Sequence, residues 1–265
     1  MAGIIDLVGN TPLVEIKKLN PNPKVQIFAK LEGNNPGGSV KDRAALNMIR
    51  SALERGDIKK GSRLIEATSG NTGIALAMIA RLFDLDIELV MPSNSTRERT
   101  LTMEAFGAKV TLLEGIELCR DYAEEKAAKG ESFLLNQFAN SDNSLAHYKS
   151  TGPELWNDTE QKITHFVSSM GTTGTIMGCS RYLKEKNPKI QIIGCQPTEN
   201  SSIPGIRRWP VEYLPKIFEP ERVDRIIDIS EAEATDMARK LAKVEGIFSG
   251  MSSGGAATAA FRLAT

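Results

Sequence analysis

The stretch Leu64–Phe83, LIEATSGNTGIALAMIARLF, decides how the rest of the chain is read. Leu64–Ala67 is a short β-rich run. It ends at Thr68-Ser69-Gly70-Asn71-Thr72-Gly73, and an apolar helical pattern then runs from Thr72 to Phe83. A strand that passes through a Gly/Ser/Thr turn into a helix is the opening of a parallel βαβ unit. The same design recurs along the chain. Strands are expected at Val25–Leu31, Ile87–Met91, Lys109–Leu113, Phe133–Leu135, Phe166–Ser168, Ile190–Cys195 and Val223–Ile229. Between them lie helical patterns at Val40–Arg55, Thr96–Phe106, Leu118–Lys129, Leu145–Thr159, Thr175–Lys186, Glu231–Glu245 and Gly254–Ala264. Gly56, Gly107, Gly130 and Gly246 stand where helices should stop, and Pro153 marks a candidate kink. This alternation predicts an α/β protein of mainly parallel sheets with helices on both faces. The stretch from Pro197 to Pro220 breaks the pattern with five prolines; a connection of that length is either functional or a surface excursion.

Composition bounds the function. The chain has 265 residues, enough for one large domain or two modest ones and for a sizeable core. Hydrophobic residues make up 41% and charged residues 25%, as in ordinary globular proteins. Lys plus Arg and Asp plus Glu both number 33, so no global charge draws the chain to nucleic acid or to an anionic membrane. The longest apolar run, Ile74–Ala80, is too short to span a bilayer, and the N-terminus shows no signal-peptide pattern. The expected compartment is the cytoplasm. Cys119, Cys179 and Cys195 are far apart, which argues against a disulfide framework or a zinc site and for buried thiols. His147 and His165 share no ligand spacing, so each is expected to be structural or hydrogen-bonding, and no metal is expected.

The chemistry lies in four Gly/Ser/Thr turns that each enter a helix. In Gly37-Gly38-Ser39-Val40-Lys41-Asp42-Arg43, Ser39 is the expected N-cap and Lys41 falls in the first helical turn. The positive end of the helix dipole disfavours an ammonium there, which suits a nucleophilic amine; the competing reading is an exposed lysine. Thr68–Gly73 gathers backbone N–H groups and hydroxyls that suit a carboxylate or phosphate. Ser168-Ser169-Met170-Gly171-Thr172-Thr173-Gly174-Thr175 suits a phosphate, and Gly250–Gly255 opens the last helix. Each turn alone is also ordinary capping. The Walker motif and the strand-placed G-x-G-x-x-G do not occur, which disfavours a nucleotidase and a dinucleotide fold. A Schiff-base lysine, a phosphate cradle and a carboxylate cradle together fit pyridoxal 5'-phosphate and an amino acid.

The motifs Gly9-Asn10-Thr11-Pro12-Leu13, Lys30–Arg43, Thr68–Gly73 and Gly171–Thr175 occur in this order over essentially the whole chain. In this combination the sequence resembles the cysteine synthase (O-acetylserine sulfhydrylase) family of fold type II pyridoxal phosphate enzymes, the tryptophan-synthase-β class. Ser201–Pro210 is similar to the B isoform of that family. The resemblance implies that Lys41 carries the cofactor and later moves the proton. Asn71 would bond the cofactor's phenolic oxygen, and Gly171, Thr172, Thr173, Gly174 and Thr175 would bind its phosphate. Thr68, Ser69, Asn71 and Thr72 would receive the substrate carboxylate, assisted by Gln137. Arg207 and Arg208 would sit near the pocket mouth, suited to an anionic sulfur donor, or else serve as solvated or ion-paired loop charges.

The implied reaction is β-replacement of O-acetylserine through an α-aminoacrylate, with sulfide or thiosulfate giving cysteine or S-sulfocysteine. The expected architecture is two doubly wound domains. Residues 38–143 form a smaller mobile domain, 1–37 and 144–265 form the larger, and the active site lies in the cleft. A homodimer is a family expectation. The family's pattern continues with a further strand that faces the pyridine nitrogen. No residue here matches it, so the expectation is that this C-terminal strand is absent and the cofactor is held less tightly. Competing readings are cystathionine β-synthase, serine dehydratase or threonine synthase within the same fold, a cofactor-binding protein without activity, and a nucleotide-binding module.

Overall fold

The structure, a computed structural model, describes residues 3–68 and 70–265. In chain order its elements begin with β1 (Leu13–Glu15), β2 (Phe28–Lys30), α1 (Lys41–Arg55), β3 (Arg63–Ala67), α2 (Asn71–Leu82) and β4 (Asp86–Pro92). Next come α3 (Arg97–Ala105), β5 (Lys109–Leu113), α4 (Gly115–Ala128), β6 (Phe133–Leu134), α5 (Ser141–Lys149) and α6 (Thr151–Asp158). The chain ends with β7 (His165–Ser169), α7 (Gly174–Lys186), β8 (Gln191–Pro197), β9 (Arg225–Ile229), α8 (Glu231–Lys240) and α9 (Met251–Ala264). They form two compact units. The first holds the residues up to Gly9 and Glu32–Ala146, and the second holds Asn10–Leu31 and His147–Thr265. The sequence reading grouped 1–37 as one piece. The structure ties Glu32–Gly37 to α1, because Glu32 grips Arg43 through two 2.7 Å contacts and Asp42 accepts from the Gly37 amide at 2.5 Å.

The first unit is built on a parallel sheet of order β5-β4-β3-β6. β3 and β4 are central and buried on both faces, which is why both read as nearly continuous apolar runs. Leu64 and Leu89 pack with Met48 and Ile49 of α1 and Leu76 and Ile79 of α2. Ile65, Ala67 and Val90 face the other way, onto Cys119 and Ala123 of α4. Each fully buried leucine or isoleucine contributes roughly 1.5–3 kcal/mol of apolar transfer. Glu88 is the polar exception in β4. It accepts from Thr111 (2.7 Å), Tyr122 (3.2 Å) and Lys126 (3.0 Å) and pairs with Lys109 at 3.1 Å.

The second unit holds a parallel sheet of order β7-β8-β9 and a short antiparallel pair, β1-β2. α9 packs on α8 so closely that a Cβ at Gly254 would lie 2.0 Å from the Ala234 carbonyl oxygen. The pattern read as one helix over Leu145–Thr159 is two helices, α5 and α6. The physical reason is Pro153, which has no N–H to give to Lys149 and whose ring crowds that carbonyl, so the helix breaks at Ser150. The helix read to Glu245 runs regularly to Lys240, makes a π-helical turn over Leu241–Glu245, and stops at the left-handed Gly246. The three cysteines are free and buried, as expected. Among the described residues no helix is long and apolar enough to cross a membrane.

Candidate active site

In the first unit the turn after β3 and the loop after β6 follow the carboxyl ends of parallel strands, whereas the loop that leads to α1 follows no strand of that sheet. α1 begins at Lys41 itself. Its N-cap is Val40 rather than Ser39, and the Ser39 hydroxyl instead accepts from the Lys41 amide at 3.2 Å. The correction arises because Val40 has already turned helical (φ −57°, ψ −20°), while Ser39 closes a turn just before it. Lys41 is thus the first helical residue, and burial lowers its pKa from the ordinary lysine value. No carboxylate among the described residues pairs with its ammonium. Next to it Asp42 is fully buried. Burial raises its carboxyl pKa to about 6, against the Gly37 N–H bond, which lowers it, and nearby Glu32, which raises it further. A Cβ at Gly37 would lie 2.6 Å from Asp42 Oδ1, so only glycine admits this close approach.

The β3–α2 turn holds Thr68, Asn71 and Thr72; Ser69 lies outside the described residues. Gly70 caps α2 in extended geometry, and the Gly73 N–H bonds back to the Gly70 carbonyl at 3.0 Å. Thr72 and Gln137 are both buried, and the Thr72 hydroxyl donates to Gln137 Oε1 at 2.9 Å. The structure therefore brings these two sequence-predicted residues together. β6 is the neighbour of β3 in the sheet, and that adjacency sets the loop after β6 beside the turn after β3. α1 packs against α2, so Lys41 and Asn71 each open one helix of a packed pair.

In the second unit Gly171–Thr175 joins β7 to α7. Thr173 is the N-cap of α7 with φ +68°, a left-handed conformation unusual for a β-branched residue. Its hydroxyl is buried and has no hydrogen-bond partner. Thr175 Oγ1 lies 3.3 Å from His147 Nε2, and His147 Nδ1 lies 2.8 Å from Thr151 Oγ1. The segment around Arg207 braces the loop. The Arg207 amide donates to Met170 O at 2.9 Å, Trp209 Nε1 donates to Gly171 O at 2.7 Å, and a Cβ at Gly171 would lie 2.7 Å from Gly205 O. The fourth turn joins here too, since Ser169 Oγ donates to Ser252 O at 2.6 Å.

The two arginines part company. Arg208 Nε donates to Pro197 O at 2.9 Å and its guanidinium pairs with Asp228, whereas the Arg207 side chain is exposed with no ion pair among the described residues. The sequence reading gave Glu66 no site role, took His147 as a structural or hydrogen-bonding residue, as its contacts with Thr151 and Thr175 bear out, and gave Trp209 no separate role. The first was legible as a carboxylate at the end of an otherwise apolar strand. The spacing of His147 from Thr151, one helical turn, hinted at the second.

Pyridoxal phosphate fits these residues. A buried, unpartnered Thr173 hydroxyl beside the first amides of α7 is a phosphate cradle with an acceptor still to be supplied. A half-buried lysine with a depressed pKa is the amine that a Schiff base needs. Comparison with known proteins agrees. Residues 4–265 match the family described as "Pyridoxal-phosphate dependent enzyme", and the chain belongs to that family of α/β enzymes. It is similar to the cysteine synthase B of Pseudomonas aeruginosa, with 59% identity over 98% of this chain and 88% of that protein. It is similar also to the cysteine synthase B of Escherichia coli, with 55% identity over 100% of this chain and 88% of that one. The crystal structure of cysteine synthase from Entamoeba histolytica superposes with a TM-score of 0.93 at 37% identity, covering 100% of this chain and 82% of that one.

Proposed function

We propose that this chain is a cysteine synthase that replaces the acetoxy group of O-acetylserine with sulfide, or with thiosulfate, to give cysteine or S-sulfocysteine. The observation that carries the reading is the 59% identity to a cysteine synthase B over 98% of the chain. The depressed pKa of Lys41 supports it. In this reading Lys41 holds the aldehyde end of pyridoxal phosphate, Asn71 bonds its ring oxygen, and Gly171–Thr175 hold its phosphate. The bound cofactor supplies an electron-withdrawing ring that stabilises negative charge at the α-carbon of an amino acid. The protein does the rest. Lys41 Nζ, its pKa lowered by burial, takes and returns the proton. Thr68, Ser69, Asn71 and Thr72, with Gln137, orient the substrate carboxylate. Arg207, unpaired and exposed, is the better placed of the two arginines to attract an anionic sulfur donor. In this reading the part of the chain that includes residues 38–143 acts as a mobile domain, the assembly is a homodimer, and the compartment is the cytoplasm.

The test is the absorption spectrum of the purified protein with and without O-acetylserine, followed by borohydride reduction, peptide mapping and a cysteine assay with sulfide. The expected result is a coloured protein whose band shifts with O-acetylserine, an adduct on Lys41, and sulfide-dependent cysteine. A protein that stays colourless with added pyridoxal phosphate overturns the reading.

A further inference from the structure

Glu66 is a buried carboxylate that the proposed chemistry does not use. It sits near the end of β3, 2% exposed. β6 pairs with β3 at only Leu64↔Phe133 and Ile65↔Leu134, and the chain then turns away through Asn136, which is left-handed at φ +55°. The sheet has no acceptors for the amides beyond that point. The Glu66 carboxylate takes both: the Asn136 N–H donates to Oε2 at 2.9 Å and the Gln137 N–H to Oε1 at 3.3 Å. The far side of the same turn is pinned by Asn143 Nδ2, which donates to Gln137 O at 2.8 Å. With its backbone held front and back, the Gln137 side chain reaches the Thr72 hydroxyl at 2.9 Å. Thr72 belongs to the turn that begins one residue past the end of Glu66's own strand.

We infer that Glu66 is a positioning residue for the substrate carboxylate, joining the turn after β3 to the turn after β6 by accepting the Asn136 and Gln137 amides and so fixing the Gln137–Thr72 pair. The inference rests on the proposed assignment of Thr72 and Gln137 to the substrate carboxylate. An ionised carboxylate offers an acceptor to each amide. A protonated one turns one oxygen into a donor and faces an N–H with it. Burial raises the Glu66 pKa to about 7, against the two amide bonds and Arg120, all of which lower it. Arg120 of α4 is the charged side chain acting on Glu66 among the described residues, and Glu124 of α4 lines the same small cavity. β4 sets the apolar Leu89 opposite Glu66, and the loop after β6 brings the uncharged Asn136, Gln137 and Phe138. The link therefore weakens as pH falls from 8 to 6.

The experiment compares the holoenzyme with Glu66→Gln, which keeps the size and one acceptor. Expected at pH 8 is a rise of about tenfold in KM for O-acetylserine with kcat changed less than threefold, as for lost ground-state orientation. The parent's KM should rise as pH falls from 8 to 6, while that of E66Q stays flat. Amide hydrogen exchange of Asn136 and Gln137, corrected for intrinsic rates, supplies a readout apart from activity. Protection should fall toward pH 6 in the parent and be low at both pH values in the variant. Active parent and variant with equal KM, equal pH profiles and equal protection overturn the inference and leave the function standing. A parent that forms no cysteine but shows the pH-dependent protection overturns the function and leaves the link. Should E66Q not fold, the parent's amide protection decides alone, and protection constant from pH 8 to 6 refutes the link.

Discussion

Gly171→Ala tests how the phosphate loop is held. Gly171 does not have a positive φ, so alanine meets no backbone penalty there, and the effect isolates one contact. The new Cβ would lie 2.7 Å from the Gly205 carbonyl oxygen, about 0.7 Å inside the 3.4 Å at which ordinary contact begins. That neighbour is backbone, not the free end of a side chain, so a loop must move. Overpacking of this kind costs about 1–3 kcal/mol. Moving either loop strains the Trp209 bond to Gly171 O (2.7 Å) and the Arg207 bond to Met170 O (2.9 Å), each worth roughly 0.5–1.5 kcal/mol net. The expected loss is about 2–4 kcal/mol, which lowers Tm by roughly 4–16 °C at about 2–4 °C per kcal/mol. The assay is thermal unfolding with and without pyridoxal phosphate, with a cofactor titration alongside. The cofactor's own stabilisation should shrink, because it follows affinity through mass action. Gly33→Ala is the control. Nothing lies within 4 Å of its Cβ and its φ is not positive, so it should stay within about 0.5 kcal/mol of the parent. A Gly171→Ala protein with the control's Tm and the parent's cofactor titration would show that the 203–209 segment does not brace the loop.

Three further outcomes follow from the geometry. Arg208→Ala removes the Asp228 pair and the Pro197 bond, both partly exposed, and should cost about 1 kcal/mol in urea unfolding; Arg207→Ala should leave stability unchanged and raise KM for thiosulfate alone. Glu88 is pulled down to about 2, with burial (which raises it) overcome by the bonds from Thr111, Lys126 and Lys109. Its folded pKa lies below its unfolded value, so its contribution of about 3 kcal/mol is present above pH 4.5 and lost as pH falls toward 2. The gap in urea stability between parent and Glu88→Gln should close over that window. Lys41 has its folded pKa below the unfolded value, so the folded state loses stability at neutral pH, where the unfolded lysine is charged. Cofactor-stripped Lys41→Ala should therefore melt above the stripped parent at pH 7, with the gain shrinking as pH approaches 10.5, and should give no borohydride-fixed adduct.

The elements that the sequence disclosed are those in which local chemistry and tertiary packing agree. Gly56, Gly107, Gly130 and Gly246 all take positive φ at or just after a helix end, and β5 runs over Lys109–Leu113 as read. The hairpin of β1 with β2 was only half legible. Leu13–Glu15 is a short run with no alternation of its own, and its strand conformation comes from the register with Phe28–Lys30. Pro153 was visible, yet the break falls at Ser150, because a proline acts on the carbonyl one turn earlier.

The site shows the same division. Lys41, Asn71 and Gly171–Thr175 stood out because each begins a helix, and a helix N-terminus announces itself locally through glycine and hydroxyl residues. Glu66 and His147 act on groups far along the chain, Glu66 on Gln137 and His147 on Thr175. The local sequence can show such a residue but not the distant group it acts on. What marks Glu66 is the topology: β6 is only two residues long and lies beside β3, so the amides that follow it need an acceptor that β3 must supply from a side chain. A carboxylate at the end of an apolar parallel strand, next to a neighbour that stops early, is therefore a feature to look for whenever a loop beyond that neighbour carries a binding residue.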